Sequence, residues 1–361
     1  MTTAADFLQV YDLKLTAMAP LFIGNGHTIL KKSYLYNPKS GKISIFDEEK
    51  FFALLFQRNL FDPFERFMLG RQNSLFTFLT QDCHMTERDW APAVRYCLDA
   101  GAALDARHSL SDIQCFIRNT AGQIYVPGSS VKGALRTVLL QQMIRQDGEH
   151  SKLTPAPKGK YEVIPEENYL HTLKLNLKKP DDAVNSIMRG IQVSDSLPIS
   201  DENVTLAAKW DAQTNGEIKK LNVCRESLRL GTEIRMKLTL DQSVLKGALT
   251  KESLMKAINE FDDYYWDTYL MKFDQPVGEA DIVCKNCLFL GGGTGFFSKS
   301  LVYPYLGAER GLKKTVEIMQ SAFQNHHHER DEYKGVSPHT LKYTQYGKAF
   351  YLMGMCGVEI R

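Results

Sequence analysis

Stretches of period two and stretches of period near 3.6 alternate along this chain. From Gln9 to Ala17, Val10, Asp12, Lys14 and Thr16 alternate with Tyr11, Leu13, Leu15 and Ala17, the pattern of a half-buried strand. Pro20 ends it, and Gly24-Asn25-Gly26 predicts a tight turn. Thr28–Tyr36 and Lys42–Phe46 read as the next strands, and Asp47-Glu48-Glu49 caps a helix through Phe51, Leu54 and Leu55. Residues 60–105 read as helical and carry Phe61, Phe64, Phe67, Phe76, Phe78, Trp90 and Tyr96. Such aromatics stack on bases in some proteins, but core or a protein interface is the simpler expectation. Asp112–Arg118 and Gln123–Val126 read as strands around a turn at 119–122. A helix follows, apolar at Val131, Leu135, Val138, Leu139 and Met143. Asp147–Tyr161, with its glycines, prolines and lysines, predicts an exposed loop.

In the second half, Ile187–Val193 reads as a strand that runs into a turn at Ser194-Asp195-Ser196. Leu221–Arg229 and Thr232–Leu240 read as two strands around a tight turn at Gly231. That hairpin would bring Arg225, Arg229 and Arg235 near one another, on a solvated face or a binding one. Lys251–Met271 is a long amphipathic helix with Leu254, Ile258, Phe261, Tyr265 and Leu270 along one side. The order of elements predicts an α+β fold with an antiparallel sheet. Two domains are expected: 1–245, with a helical insertion at about 50–105, and a smaller C-terminal domain at 246–361.

Composition narrows the classes. Of the 361 residues 43% are hydrophobic and 24% charged, so a soluble globular protein is expected. No run approaches the ~20 apolar residues of a membrane helix, and the N-terminus lacks a signal-peptide pattern, so no membrane partner is expected. Seven cysteines without a repeating frame suggest reduced thiols and a cytoplasmic protein. The net charge of +2 is low for a protein that binds bare duplex DNA alone. It suits one that touches RNA on one face and proteins on others.

Candidate chemistry begins at Ile124-Tyr125-Val126-Pro127-Gly128-Ser129-Ser130-Val131-Lys132-Gly133-Ala134-Leu135-Arg136-Thr137. Ser129 or Ser130 would cap the helix. Lys132 in the first turn faces the positive end of the helix dipole, an unfavourable placement unless an anion sits there. Free N–H groups, two hydroxyls, Lys132 and Arg136 would grip a phosphate; the bland alternative is a capped surface helix with solvated cations.

The second candidate is Leu288-Phe289-Leu290-Gly291-Gly292-Gly293-Thr294-Gly295-Phe296-Phe297-Ser298-Lys299-Ser300. Its glycine N–H groups can form an anion nest, closed by Lys299 and Ser300. A Walker P-loop is the competitor, but Ser298 stands where the second glycine belongs, and no Walker-B strand is evident.

Together the two segments resemble the RAMP superfamily of RNA-binding CRISPR proteins, and within it the family of fifth Csm subunits of the type III-A effector complex. Weaker likeness covers the first strand with Gly24-Asn25-Gly26, the strands around Gly231-Thr232, and Ala349–Arg361. The resemblance implies a ferredoxin-like, RRM-related core. It implies a non-catalytic subunit that caps the backbone at the 3′ end of the guide RNA (crRNA) and supports its maturation. Implied partners are the crRNA, the neighbouring RAMP backbone subunit, the small helical Csm subunit and trimming nucleases. Carried over by position, the RNA-binding set is Gly128, Ser129, Ser130, Lys132, Gly133 and Arg136, with Gly291, Gly292, Gly293, Thr294, Gly295 and Lys299. Catalytic residues, metal and cofactor are expected to be none. The alternative is a metal-independent endoribonuclease with His27 as acid–base group and Lys132 steadying the phosphate.

Other features carry less. Asp195 at a strand end caps a turn more readily than it catalyses. Cys83-His84 with Cys97 lacks metal-ligand spacing, and Cys284-x-x-Cys287 has no second ligand pair nearby. His326-His327-His328 lies in a charged stretch and is expected in a solvated loop, not a native metal site.

Overall fold

Leu13, Leu15 and Ala17 lie on one side of the first strand and are buried, while Asp12, Lys14 and Thr16 face outward. That alternation sets the strand's register. The computed structural model describes residues 7–101, 103, 111–155, 162–280 and 284–361. Its early strands are β1 (Leu8–Ala17), β2 (Gly24–Ile29), β3 (Tyr34–Asn37), β4 (Lys42–Phe46), β5 (Val94–Asp99) and β6 (Ile113–Phe116). The middle ones are β7 (Thr154–Pro155), β8 (Glu162–Val163), β9 (Ile191–Val193), β10 (Val204–Gln213), β11 (Ile218–Leu228) and β12 (Glu233–Asp241). The last are β13 (Cys287–Phe289), β14 (Thr340–Tyr346), β15 (Ala349–Leu352) and β16 (Met355–Ile360).

Two main sheets result. The first is antiparallel, in the order β13-β16-β1-β12-β9. The second is mixed, in the order β2-β6-β11-β10-β5-β4-β3, with β14 on β10 and β15 on β14. β10 pairs in parallel with β5, and β11 with β6. The fold is thus α+β, as expected. The main core draws on residues from Leu13 to Val358, on both sides of residue 245, and the C-terminal strands β14 and β16 enter the two sheets built by the N-terminal half. No helix among the described residues is long and apolar enough to cross a membrane.

Several local expectations are corrected. Gly24-Asn25-Gly26 is not a turn. It lies within β2, whose pairing with β6 is bulged between Gly24 and Thr28. The stretch 28–36 splits into β2 and β3 around a turn. Gln123–Val126 is no regular strand, and only Ile124 makes bridges, to Arg118 and Ile199. β11 and β12 are not a hairpin but belong to different sheets. The chain crosses between the sheets at Leu228–Thr232, where Leu228 pairs with Leu21 and Gly231 N–H donates to Ala17 O. Arg225, Arg229 and Arg235 are therefore dispersed. Arg229 pairs with Asp99, and Arg235 with Glu233. Of the expected loop at 147–161, residues 156–161 lie outside the described set, and 154–155 pair with 162–163.

Between β4 and β5 the chain is helical, from the Glu48–Gln57 and Phe61–Leu69 helices to a last short turn at Ala91–Ala93, and β5 begins at Val94, so the part of 60–105 from Val94 to Asp99 is not helical. Asp47 caps the Glu48–Gln57 helix by accepting from Lys50 N–H. Phe46, Phe51, Phe67, Phe78 and Trp90 form a second, smaller core, with ring centroids 4.4 Å apart for Phe46–Phe51 and 4.7 Å for Phe67–Phe78. Most of these aromatics are structural, each full burial being worth roughly 1.5–3 kcal/mol.

The Lys251–Thr268 helix buries Leu254, Ile258, Phe261 and Tyr265, as its pattern predicts. Asp262 on this helix accepts from Cys287 N–H, and burial, then neighbouring Asp263, pushes its carboxyl up to about 6. The folded protein therefore holds this proton more tightly than the unfolded chain does. Stability falls as pH rises from about 4 to about 6, and the full penalty remains above that window. Asp262→Asn keeps the acceptor and removes the charge. It is expected to stabilise the protein above pH 6 by about 1 kcal/mol, after allowance for the group's remaining solvent contact. Urea unfolding at pH 4 and pH 8 checks it, with the gain confined to the higher pH.

Candidate nucleic-acid interface

The first candidate segment opens the Gly128–Asp147 helix, with Pro127 in extended conformation as N-cap and no side-chain cap from either serine. Ser129 is exposed, and Ser130 N–H returns to Pro127 O. The capping carboxylate comes from outside the helix: Asp195 Oδ1 accepts from Gly128 N–H at 2.8 Å. Its charge is favourable at the positive end of the dipole, so part of the anion's place is filled by the protein itself. Gly128 is buried, and a Cβ there would stand 2.2 Å from Val193 O. Its absence of a side chain serves packing against the end of β9. Val131, Leu135, Val138 and Leu139 are buried, as the periodicity predicts. Arg136 pairs with Glu166. Lys132 has no hydrogen-bond or ion-pair partner among the described residues, and partial burial lowers its ammonium pKa.

The second segment is organised around Arg225. After β13 the chain turns through Gly291, Gly293 and Gly295, all at positive φ (77, 89 and 86°). Gly292 N–H donates to Phe22 O, anchoring the loop. The N–H groups of Gly293, Thr294 and Gly295 have no partner among the described residues, and the alternation of positive φ with ordinary backbone suits an anion nest. Gly293 presses on Arg225, where a Cβ would lie 2.4 Å from Nη1.

Arg225 is 9% exposed, donates to Gln114 Oε1 at 2.9 Å and sits over the Phe22 ring. Lys299 Nζ donates to Gly291 O at 2.7 Å, and its pKa is lowered by desolvation and then by Arg225. Lys209 on β10 has its pKa lowered by burial, then by Lys342 and, less, by Arg225, against a counter-effect from Asp211. Lys342 on β14 pairs with Asp211 at 2.9 Å, and its side chain underlies Gly295. The result is a loop with free N–H groups beside Lys209, Arg225, Lys299 and Lys342, with Asp211 as their one carboxylate partner among the described residues. Cations held this close repel one another, and an anion relieves that repulsion. Lys209 and Lys342 carried no signal in the sequence, because β10 and β14 meet only in the sheet.

No hydrogen bond or ion pair among the described residues joins this cluster to Lys132 or Arg136. The P-loop alternative is not supported: β13 is an antiparallel edge strand, and the next helix begins at Val302, beyond Lys299-Ser300. His27 is exposed on β2, and its ring has no hydrogen-bond partner among the described residues. The sulfurs of Cys284 and Cys287 lie against each other as a disulfide pair, while Cys83, Cys97, Cys115, Cys224 and Cys356 are free thiols. The chain reverses between them at Asn286, which adopts positive φ.

Comparison with known proteins bears on the whole chain. Csm5 of Enterococcus italicus is 26% identical over 389 residues, covering 98% of both chains. Csm5 of Streptococcus thermophilus is 28% identical over 302 residues, covering 81% of this chain and 80% of that one. Csm5 of Mycobacterium tuberculosis is 24% identical over 376 residues, covering 98% of both. The fold matches a chain of a type III-A Csm–crRNA–target RNA ternary complex with TM-score 0.63 at 16% identity, covering 97% of this chain and all of that one. It also matches the crystal structure of Csm5 from T. onnurineus with TM-score 0.61 at 16% identity, covering 95% and 99%. The sequence profile of the RAMP superfamily matches residues 14–305. The chain belongs to the RAMP superfamily.

Proposed function

We propose that this protein is a non-catalytic, crRNA-binding subunit of a type III-A CRISPR ribonucleoprotein, acting in the cytoplasm. It grips the guide-RNA backbone at the 3′ end and supports maturation of that end by trimming nucleases. It assembles there with the neighbouring RAMP backbone subunit and the small helical Csm subunit. The observation that carries this is the free N–H run at Gly293–Gly295 ringed by Lys209, Arg225, Lys299 and Lys342. Donors and cations around a bare backbone suit phosphate and read no base edge. The relatives named Csm5, and the crRNA-containing assembly of the structural neighbour, support the same reading.

The Gly128 helix would supply a second, weaker contact through Ser129, Lys132, Gly133 and Arg136. Lys132→Ala is expected to lower the salt slope of RNA binding by about 0.7, uniformly across sequences. Arg136→Ala is expected to have a smaller effect, because Glu166 already offsets its charge. Anisotropy titrations over a range of salt check both. The same preparations test for cleavage. Metal-independent cutting of a repeat RNA that His27→Ala abolishes would replace this reading by the endoribonuclease one.

A further inference from the structure

The histidine run expected in a solvated loop does not behave as one. His327 takes a left-handed backbone conformation (φ 56°), and His328 is only 4% exposed. One turn of helix, Asp331–Lys334, follows, with Asp331 fully buried at 0%. The chain returns through Gly335 and Ser337-Pro338 to His339, at the threshold of β14. His328 Nδ1 lies 2.8 Å from Asp331 Oδ2, and His339 Nδ1 lies 2.6 Å from Asp331 Oδ1. Candidate ligand atoms of the three residues all fall within 4.8 Å of one another. Ser337 Oγ donates to Asp331 Oδ2 at 2.8 Å.

A buried carboxylate is costly unless a cation or strong donors compensate it. Here the compensating groups are two imidazoles that converge on it from separate segments. Two imidazoles and a carboxylate are the donor set of zinc and related divalent transition metals, not of calcium or magnesium. We propose that His328, Asp331 and His339 form a structural site for one divalent transition-metal ion of the zinc class. The ion takes two imidazole nitrogens and one carboxylate oxygen. The ion takes the place of the Nδ1 protons that bridge the imidazoles to the carboxylate, and each neutral imidazole then carries its one proton on Nε2. Ser337 remains as outer-shell donor to the carboxylate, holding its orientation. His339, with its side chain 14% exposed, marks the side open to solvent. The ion pins the turn after the Val302–Ala322 helix to the start of β14. That strand pairs with β10 and carries Lys342, so the clamp braces one wall of the basic cluster.

The test uses the full-length chain with an affinity tag free of histidine. The protein is stripped with chelator, dialysed against zinc buffered at micromolar free concentration, and assayed by elemental analysis. About one zinc per chain is expected, with a rise in melting temperature over the stripped protein. His326→Ala with His327→Ala removes the exposed imidazoles and is expected to leave both readouts intact. Asp331→Asn and His339→Gln are each expected to weaken zinc binding about tenfold or more. Because Asp331→Asn alters a buried group, His339→Gln at the rim decides the matter if the first variant does not fold. Wild-type protein that binds no zinc, binding lost with His326 and His327, or binding unchanged in His339→Gln would each overturn the site.

Discussion

Replacing Lys209, Lys299 and Lys342 together with alanine is expected to weaken guide-RNA binding about a hundredfold at 0.1 M salt and to flatten the salt slope by about 2. Each ammonium would contribute a charge-assisted contact worth about 1 kcal/mol net, and three such losses compound. The lysines are the right probes because Arg225 is also part of the fold: it is buried, bonded to Gln114 and packed on Phe22. Among single variants, Lys209→Ala is expected to cost most. It has no hydrogen-bond or ion-pair partner among the described residues, whereas Lys342 shares Asp211. Anisotropy titration of the purified chain with single-stranded RNA, repeated across salt, reads both quantities. An unchanged slope in the triple variant would remove this surface from the RNA path.

Gly291→Ala is expected to destabilise the protein by more than about 3 kcal/mol, while Gly133→Ala stabilises it by about 0.5–1 kcal/mol. Both glycines belong to segments that resemble the family's motifs, yet their surroundings are opposite. Gly291 has φ 77°, and a Cβ there would stand 2.0 Å from Phe22 O. That oxygen is fixed backbone, already accepting from Gly292 N–H at 2.8 Å. Left-handed strain and a backbone clash therefore add. Gly133 is an exposed helical position, and a Cβ there would have no atom within 4 Å. Thermal or urea unfolding of the two variants separates the cases. If Gly133→Ala weakens RNA binding without loss of stability, Gly133 serves close approach of a ligand to the helix.

The parts of the fold legible in the sequence are those where one face is buried and the other is not. β1, β12, the Gly128 helix and the Lys251 helix each show their burial in their periodicity. β10 leaves no such mark, because Val204–Ala208 is buried on both faces and so does not alternate. The separation of β11 from β12 is hidden for a different reason. A short link at Gly231 suits a hairpin, but β11 is held in the other sheet by its pairing with β10 and β6, and Leu21 and Leu228 make only an isolated bridge where the chain crosses. At the site, the glycine-rich loop and Lys299 form a local string that the sequence shows, whereas the neighbours of Arg225 are set by the sheet and not by the link to Arg229 and Arg235. Lys209, Lys342 and Gln114 are placed there only by strand pairing across more than a hundred residues, which no local pattern encodes. Asp195 as the cap of Gly128 and His339 as the partner of Asp331 are long-range or turn-mediated in the same way.

The most direct test of an RNA-gripping subunit is cross-linking in the assembled particle. The tagged protein is purified from its own host at moderate salt, irradiated, and its cross-linked peptides and RNAs are sequenced. The expected result is a ladder of short RNAs with a common repeat-derived 5′ end, other Csm subunits in the same particle, and 3′-proximal nucleotides attached within 204–213, 287–300 or 340–346. A chain that purifies without RNA, or whose cross-links fall outside those segments and toward the 5′ end, would contradict it.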